Sequence, residues 1–321
     1  MATPPIFAAA KVGNLYVYNC MNLELKYIKS SDVDKAKWDS LVSSSNDGSI
    51  FCYSWYLDAF CEWDIIILND YDGGLALPNT TKSGFRALYQ PNFIQKCVWM
   101  GKPLASIDIA SLQKLLTSRF KKIQFNTNLK MGTVKVRPNL VLALDKSIAN
   151  LQRGYSKSVR KNLRKINPDL TAKSESNIAL VVELYKNQWG KLNTQLSDSD
   201  YQRLELVVSQ RPENFECVSI YKGKTELAAI LMAKANNRLH YILGATSDIG
   251  KTENALTFGL NYVIDKYADS AYTLDFEGSS IPSVKSFYES FGAVNEPFYE
   301  VDMNSRFVSF LKKIYNKVVK S

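Results

Sequence analysis

Residues 24–28 alternate between apolar and polar side chains, the period of a half-buried strand, and Ser31-Asp-Val-Asp then supplies the oxygen-bearing side chains that open a helix carrying Trp38, Leu41 and Val42. Residues 54–60 suit a second helix. The period then changes. Residues 63–68, 74–78 and 84–89 are short strand-like runs separated by Asp, Asn and Gly, which is turn chemistry. A helix over 107–119 leads into a strand over 122–126. From Asn139 the pattern predicts a strand (140–144), a long helix (151–166), and two more helices over 177–192 and 201–209. A meander follows: strands over 215–221, 227–234 and 239–244, joined by tight turns at Lys222-Gly-Lys and Asn236-Asn. A helix over 253–267, a strand over 272–276, a short helix over 281–290 and a strand over 298–301 close this second unit.

A chain of 321 residues exceeds what one core usually fills, so two domains are expected. The boundaries read as an N-terminal extension over 1–20, a first domain over 21–138, a second over 139–303 and a basic amphipathic C-terminal helix over 304–321. That last helix carries Phe307, Phe310, Leu311, Ile314 and Val318 on one face; it either covers the domain or docks on a membrane surface. The longest uninterrupted apolar run, 227–233, falls far short of the roughly 20 residues a membrane-spanning helix needs.

Five cysteines without C-x-x-C spacing point to reduced thiols in a cytoplasm. His240 is the one histidine, so zinc sites and Ser-His-Asp triads would all rest on it; no metal is expected, and His240 reads as a structural residue of its strand. The net charge of +9 favours anionic partners such as tRNA, coenzyme A phosphates or an anionic membrane face.

Chemistry concentrates near the C-terminal end of the second unit. Asp275-Phe-Glu277-Gly-Ser279 precedes Phe287-Tyr288-Glu-Ser-Phe291-Gly292-Ala293. Asp275 and Glu277 alternate along a strand and should share a face, where they either deprotonate an attacking ammonium or cap the next turn. Tyr288 either packs its short helix or protonates a leaving group. On the helix after Ser156, Lys157, Arg160, Lys161 and Arg164 recur at i, i+3, i+4 and i+7 and share one face.

These motifs, in this order, resemble the Fem-type (FemAB-like) branch of the GNAT acyltransferase superfamily; the resemblance is detailed over the second domain and diffuse over the first. It implies an α/β (α+β) fold of two GNAT-like domains in tandem, each a mixed, mostly antiparallel sheet flanked by helices. It implies a bacterial N-acyltransferase that moves an acyl or aminoacyl group from an acyl-CoA (acetyl-CoA) or aminoacyl-tRNA donor to an amine, with no permanently bound cofactor. The amine would belong to a small molecule or a cell-envelope precursor. Implied catalytic residues are Tyr288, Glu277 and Asp275, with Arg160, Arg164, Lys157, Lys161 and Ser279 binding substrate. Tyr241, Gly244, Gly250, Lys251 and Asn254 would bind the donor, with backbone N–H groups near Tyr241 to Gly244 holding the oxyanion. The loop from Gly244 to Asn254 departs from the usual phosphate cradle, since Asp248 and Glu253 would repel a pyrophosphate. Two alternatives stay open: aminoacyl-tRNA-dependent peptide-bond formation on a peptidoglycan precursor, and a non-catalytic binding module on the same scaffold.

Overall fold

The computed structural model describes residues 9–12, 15–18, 24–82, 84–175, 177–190, 194–278 and 281–304. Ser279 and the C-terminal helix expected beyond Asn304 lie outside the described residues. Within the expected N-terminal extension, β1 (Ala9–Val12) pairs with β2 (Leu15–Tyr18) as a hairpin.

In the first half, β3 (Leu25–Lys29) leads to α1 (Lys35–Ser44) and α2 (Ser54–Phe60). Asp34 caps α1 by accepting from the Lys37 N–H, and Trp38, Leu41 and Val42 are buried, as the sequence pattern requires. The strands β4 (Glu62–Leu68), β5 (Gly73–Lys82), β6 (Phe85–Leu88) and the two-residue β7 (Met100–Gly101) follow. Then come α3 (Ser106–Arg119), β8 (Lys122–Thr127) and β9 (Thr133–Arg137).

The second half holds β10 (Leu140–Ala143), α4 (Ile148–Arg153), α5 (Lys157–Arg164) and β11 (Leu170–Glu175). Next are α6 (Ile178–Trp189), α7 (Asp198–Gln210), and the meander β12 (Phe215–Lys222), β13 (Thr225–Ala235) and β14 (Arg238–Thr246). The unit ends with α8 (Asp248–Thr252), α9 (Ala255–Lys266), β15 (Thr273–Asp275), α10 (Pro282–Glu289), β16 (Val294–Asn295) and β17 (Phe298–Asn304).

Two mixed sheets result, each mostly antiparallel and flanked by helices: one ordered β3-β4-β5-β6-β8-β17-β9, the other β11-β12-β13-β14-β15-β10-β16. The fold class is the expected one, and two differences from the sequence reading have physical causes. The helix expected over 151–166 breaks between Arg153 and Lys157, where Ser156 takes an extended backbone and caps α5 by accepting from the Val159 N–H at 3.2 Å. The helix expected over 253–267 forms as α9, its start set by Asn254, whose φ of 56° is left-handed. The last strand does not close the second sheet. β17 inserts between β8 and β9 of the first, burying Val301 completely, so a C-terminal strand finishes the N-terminal sheet and ties the halves together.

One pairing determines where a site forms. β14 and β15 run parallel but pair over three positions, Arg238 with Thr273, Leu239 with Leu274 and His240 with Asp275. β14 continues to Thr246 while β15 ends at Asp275, so the two part and leave an opening between their C-terminal ends. Openings at the C-terminal ends of parallel strands are where α/β folds hold ligands.

Candidate functional site

The opening between β14 and β15 is a cavity of about 620 Å³ whose walls include Tyr185, Trp189, Tyr241, Gly244, Phe276, Glu277 and Tyr288. Trp189, Tyr241, Gly244, Val284 and Tyr288 also line a second space, of about 300 Å³, that reaches Gly250, Lys251, Asn254 and Thr257. In the other direction Gln195, Glu277 and Gly278 are shared with a third, of about 640 Å³, walled by Gln90, Gln95, Gln124, Asn126 and Phe298. The three form one cleft. Tyr241 and Tyr288 stand where the first two meet, and Glu277 where the first meets the third.

On β14 the ladder with β13 slips between Leu231 and Met232, which pair with Leu243 and Tyr241, so Ile242 is an extra residue. Such a bulge re-aims the backbone, here beside the opening that β15 has left. Gly244 is needed for close approach: a Cβ there would lie 1.5 Å from the Tyr241 hydroxyl. The Tyr288 ring stacks on Phe276 with centroids 4.6 Å apart and meets Tyr241 edge-on at 5.8 Å. Burial, then the nearby Tyr185 and Glu277, hold the Tyr288 hydroxyl far above the ordinary tyrosine range.

Asp275 and Glu277 converge, but not by strand alternation. Glu277 and Gly278 both take left-handed backbones, with φ of 60° and 66°, and a Cβ on Gly278 would meet the Pro138 carbonyl at 2.4 Å. A glutamate in this conformation is costly and must be held by its surroundings. Asp275 is fully buried and supplies part of that hold. Its Oδ1 accepts from the Glu277 N–H at 2.9 Å; its Oδ2 accepts from Arg238 at 2.6 Å and Asn139 at 3.2 Å, with Lys96 Nζ 3.7 Å away. Burial alone would raise the Asp275 carboxyl, yet Lys96, His240 and Arg238 together outweigh it and set it below the usual range. Glu277 goes the other way. Burial and the Asp275 charge push its carboxyl up, against a smaller pull from His240, whose Nδ1 is 2.5 Å from Glu277 Oε1.

His240, Asp275 and Glu277 bring one ligand-type atom each within 4.8 Å of one another, a group the sequence spacing did not suggest. Lys96 and Arg238 already supply the positive charge that a cation would bring beside Asp275, and the His240 Nδ1 is engaged by Glu277. The chemistry of the donor set thus fits an ion-pair network better than a metal site.

The basic face of α5 is elsewhere. Lys157, Lys161 and Arg164 are exposed, Arg160 donates to the Arg153 carbonyl at 2.9 Å, and none of the four lines the cleft. Helical spacing placed them on one face correctly, but Val159 on the opposite side buries in the core and turns that face outward. Gly250, Lys251 and Asn254 do line the cleft. The acidic residues beside them are neutralised, Asp248 by Lys251 at 2.7 Å and Glu253 by Lys222 at 2.5 Å, which removes the repulsion expected there. Lys96, Arg238, Asn139 and Gln95 carry no sequence signal as site residues, apart from the oddity of a lysine directly preceding the apolar run Cys97-Val-Trp-Met100.

No family model matches the sequence, and no curated protein sequence matches it. Solved structures do. FemX superimposes with a TM-score of 0.63 at 12% identity, covering 92% of this chain and 100% of FemX. A conserved protein of unknown function from Bacteroides thetaiotaomicron VPI-5482 follows at 0.56 and 11%, covering 87% of this chain and 99% of its own. The C-terminal domain (DUF2156) of a putative lysylphosphatidylglycerol synthetase from Agrobacterium fabrum gives 0.51 and 9%, covering 87% and 95%. At these identities the likeness is one of fold, and the fold is the Fem-like one that the motif order implied.

Proposed function

We propose that the chain is an N-acyltransferase that brings an acyl or aminoacyl donor and an amine acceptor together in the cleft. The observation that carries this reading is the continuity of the cleft, with Tyr241 and Tyr288 at one junction and Glu277 at the other. The donor arm enters past Gly250, Lys251 and Asn254, and its carbonyl lies against the bulged backbone of β14, whose N–H groups receive the developing oxyanion. The acceptor enters from the amide-lined end. Glu277 takes a proton from the attacking ammonium, for which a raised carboxyl pKa is suited, and Tyr288 returns a proton to the leaving group. Asp275 holds Glu277 and does not meet the substrate.

The donor is an acyl thioester or an aminoacyl ester. Among the described residues that line the donor end Lys251 alone carries a charge, and it is paired with Asp248, so this end suits an uncharged arm better than a pyrophosphate. A second reading follows from this: an aminoacyl-tRNA donor, whose phosphates would rest outside the cleft on the protein's positive charge, with a cell-envelope precursor as acceptor. Calorimetric titration with acetyl-CoA, longer acyl-CoAs, and charged and uncharged tRNA separates the readings. Acyl-CoA binding selects the thioester, a preference for charged tRNA that falls steeply with salt selects the ester, and binding of none of them favours a non-catalytic module.

A further inference from the structure

His240 is the one histidine in the chain. It is fully buried on β14, with the Phe51 ring edge-on at 4.9 Å and its Nδ1 on Glu277. Its other ring nitrogen, Nε2, is buried without a hydrogen-bond partner among the described residues. Buried polar atoms are nearly always satisfied, so this one requires an account. The contact at Nδ1 supplies it, since a proton held there towards Glu277 leaves Nε2 as a bare acceptor; a separate cavity of about 210 Å³ lies on the other side, lined by His240, Lys96, Asn128, Arg238 and Glu296 but not by Glu277. Glu277 in turn lines the cleft, and His240 does not. The imidazole therefore stands between the cleft carboxylate and a polar cavity large enough for several waters.

We propose that His240 is the positioning residue of Glu277: its Nδ1–H holds one carboxylate oxygen so that the other meets the acceptor amine, and the unpartnered Nε2 is the ring nitrogen left without a proton. This rests on the reading of Glu277 as the base. Charge around the ring is otherwise balanced. Asp275 from β15 is matched by Lys96 and by Arg238 of β14, Arg238 also pairs with Glu296 at 2.9 Å, and Tyr56 of α2 approaches Glu277 as a neutral phenol. Glu277 is left as the carboxylate that the imidazole answers to.

A lone histidine makes the test direct. In the full chain labelled with ¹⁵N-histidine, a long-range ¹H–¹⁵N correlation shows a single imidazole and reports which ring nitrogen carries the proton. The expected spectrum has the proton on Nδ1 and none on Nε2. In Glu277→Gln a charge-assisted bond becomes a neutral one, so the Nδ1–H proton resonance should move upfield. A proton on Nε2, or an Nδ1–H resonance unmoved in Glu277→Gln, overturns the proposal. Should Glu277→Gln not fold, the wild-type tautomer still decides it. The measurement needs no substrate: a protein that binds no donor yet shows the expected spectrum removes the acyl-transfer reading alone, and one that binds donor with the wrong tautomer removes the role of His240 alone.

Discussion

At the end of the cleft beside α10 the walls are Tyr241, Leu256, Val284, Phe287 and Tyr288, whereas at the end beside β8 they are Gln90, Gln95, Gln124, Asn126 and Gln195. The first is apolar and aromatic, and suits an acyl group and its uncharged arm. The second is rich in neutral amides that fix one another: the Asn126 N–H donates to Gln90 Oε1 at 2.8 Å, and the Asn126 side chain donates to the Gln95 carbonyl at 2.7 Å. Gln95 Oε1 is buried without a partner among the described residues, an acceptor that a ligand donor would satisfy. The two ends thus sort partners by polarity, and the charged side chains at each are paired, Arg137 with Glu300 at the amide end and Lys251 with Asp248 at the other. Variants at the junction should stop the reaction whatever the substrate; variants at either end should affect one partner only.

The largest effect is expected at Glu277. Replacing it with Gln removes the proposed base while keeping its shape, so turnover should fall by about 10²- to 10⁴-fold with donor binding retained. Comparable activity in the variant, with donor affinity measured alongside, would remove Glu277 from the reaction. Asp275 should behave differently although it is two residues away. Asp275→Ala leaves Lys96 and Arg238 without their shared carboxylate in a buried setting and should cost about 3–5 kcal/mol of stability in a denaturant titration. The pH dependences oppose one another as well. The lowered Asp275 pKa contributes stability present above the ordinary aspartate range, near about 3.9, and lost as pH falls through the folded value. The raised Glu277 pKa contributes stability present below about 4.3 and lost as pH rises through its folded value. If Glu277 is the base, the acid limb of kcat/KM should lie above the pH of an ordinary glutamate, and Glu277→Gln should abolish that limb.

How much of this was legible beforehand depends on the range of the interaction concerned. The meander over β12, β13 and β14 and the capped α1 follow from local period and turn chemistry, and both form within about two residues of expectation. The strands β9 and β11 escape because their side chains are partly or wholly exposed in runs such as Thr133-Val-Lys-Val-Arg and Thr171-Ala-Lys-Ser-Glu, so no apolar face announces them. β17 is recognisable as a strand, but nothing local says which sheet it joins. The site divides in the same way. Glu277 and Tyr288 stand in a contiguous motif and were accessible, while Lys96 and Asn139 reach Asp275 from far along the chain. His240 reads as a strand residue, which it is; its second function is visible once Glu277 is folded against it. The basic face of α5 is the opposite lesson, since spacing gives a shared face but not which way that face points.

At the aromatic junction, Tyr288→Phe tests whether the hydroxyl acts or the ring alone is needed. The ring stacking on Phe276 is preserved, so stability should change little, and a general acid's loss should lower kcat about 100-fold with donor affinity unchanged. An equal fall in donor affinity would assign Tyr288 to binding instead.

At the amide end the expected change is the smallest, and it bears most directly on the contrast between the two ends. Gln124 is partly exposed on β8, its side chain faces the cavity, and Gln195 reaches the same space from between α6 and α7. Each can contribute a neutral hydrogen bond, a term of about 1 kcal/mol. Gln124→Ala and Gln195→Ala should therefore each raise the acceptor KM by about 5-fold while leaving kcat and donor affinity near their original values. A matching change in donor affinity would mean that the amide end also receives the donor, and the division of the cleft by polarity would have to be abandoned.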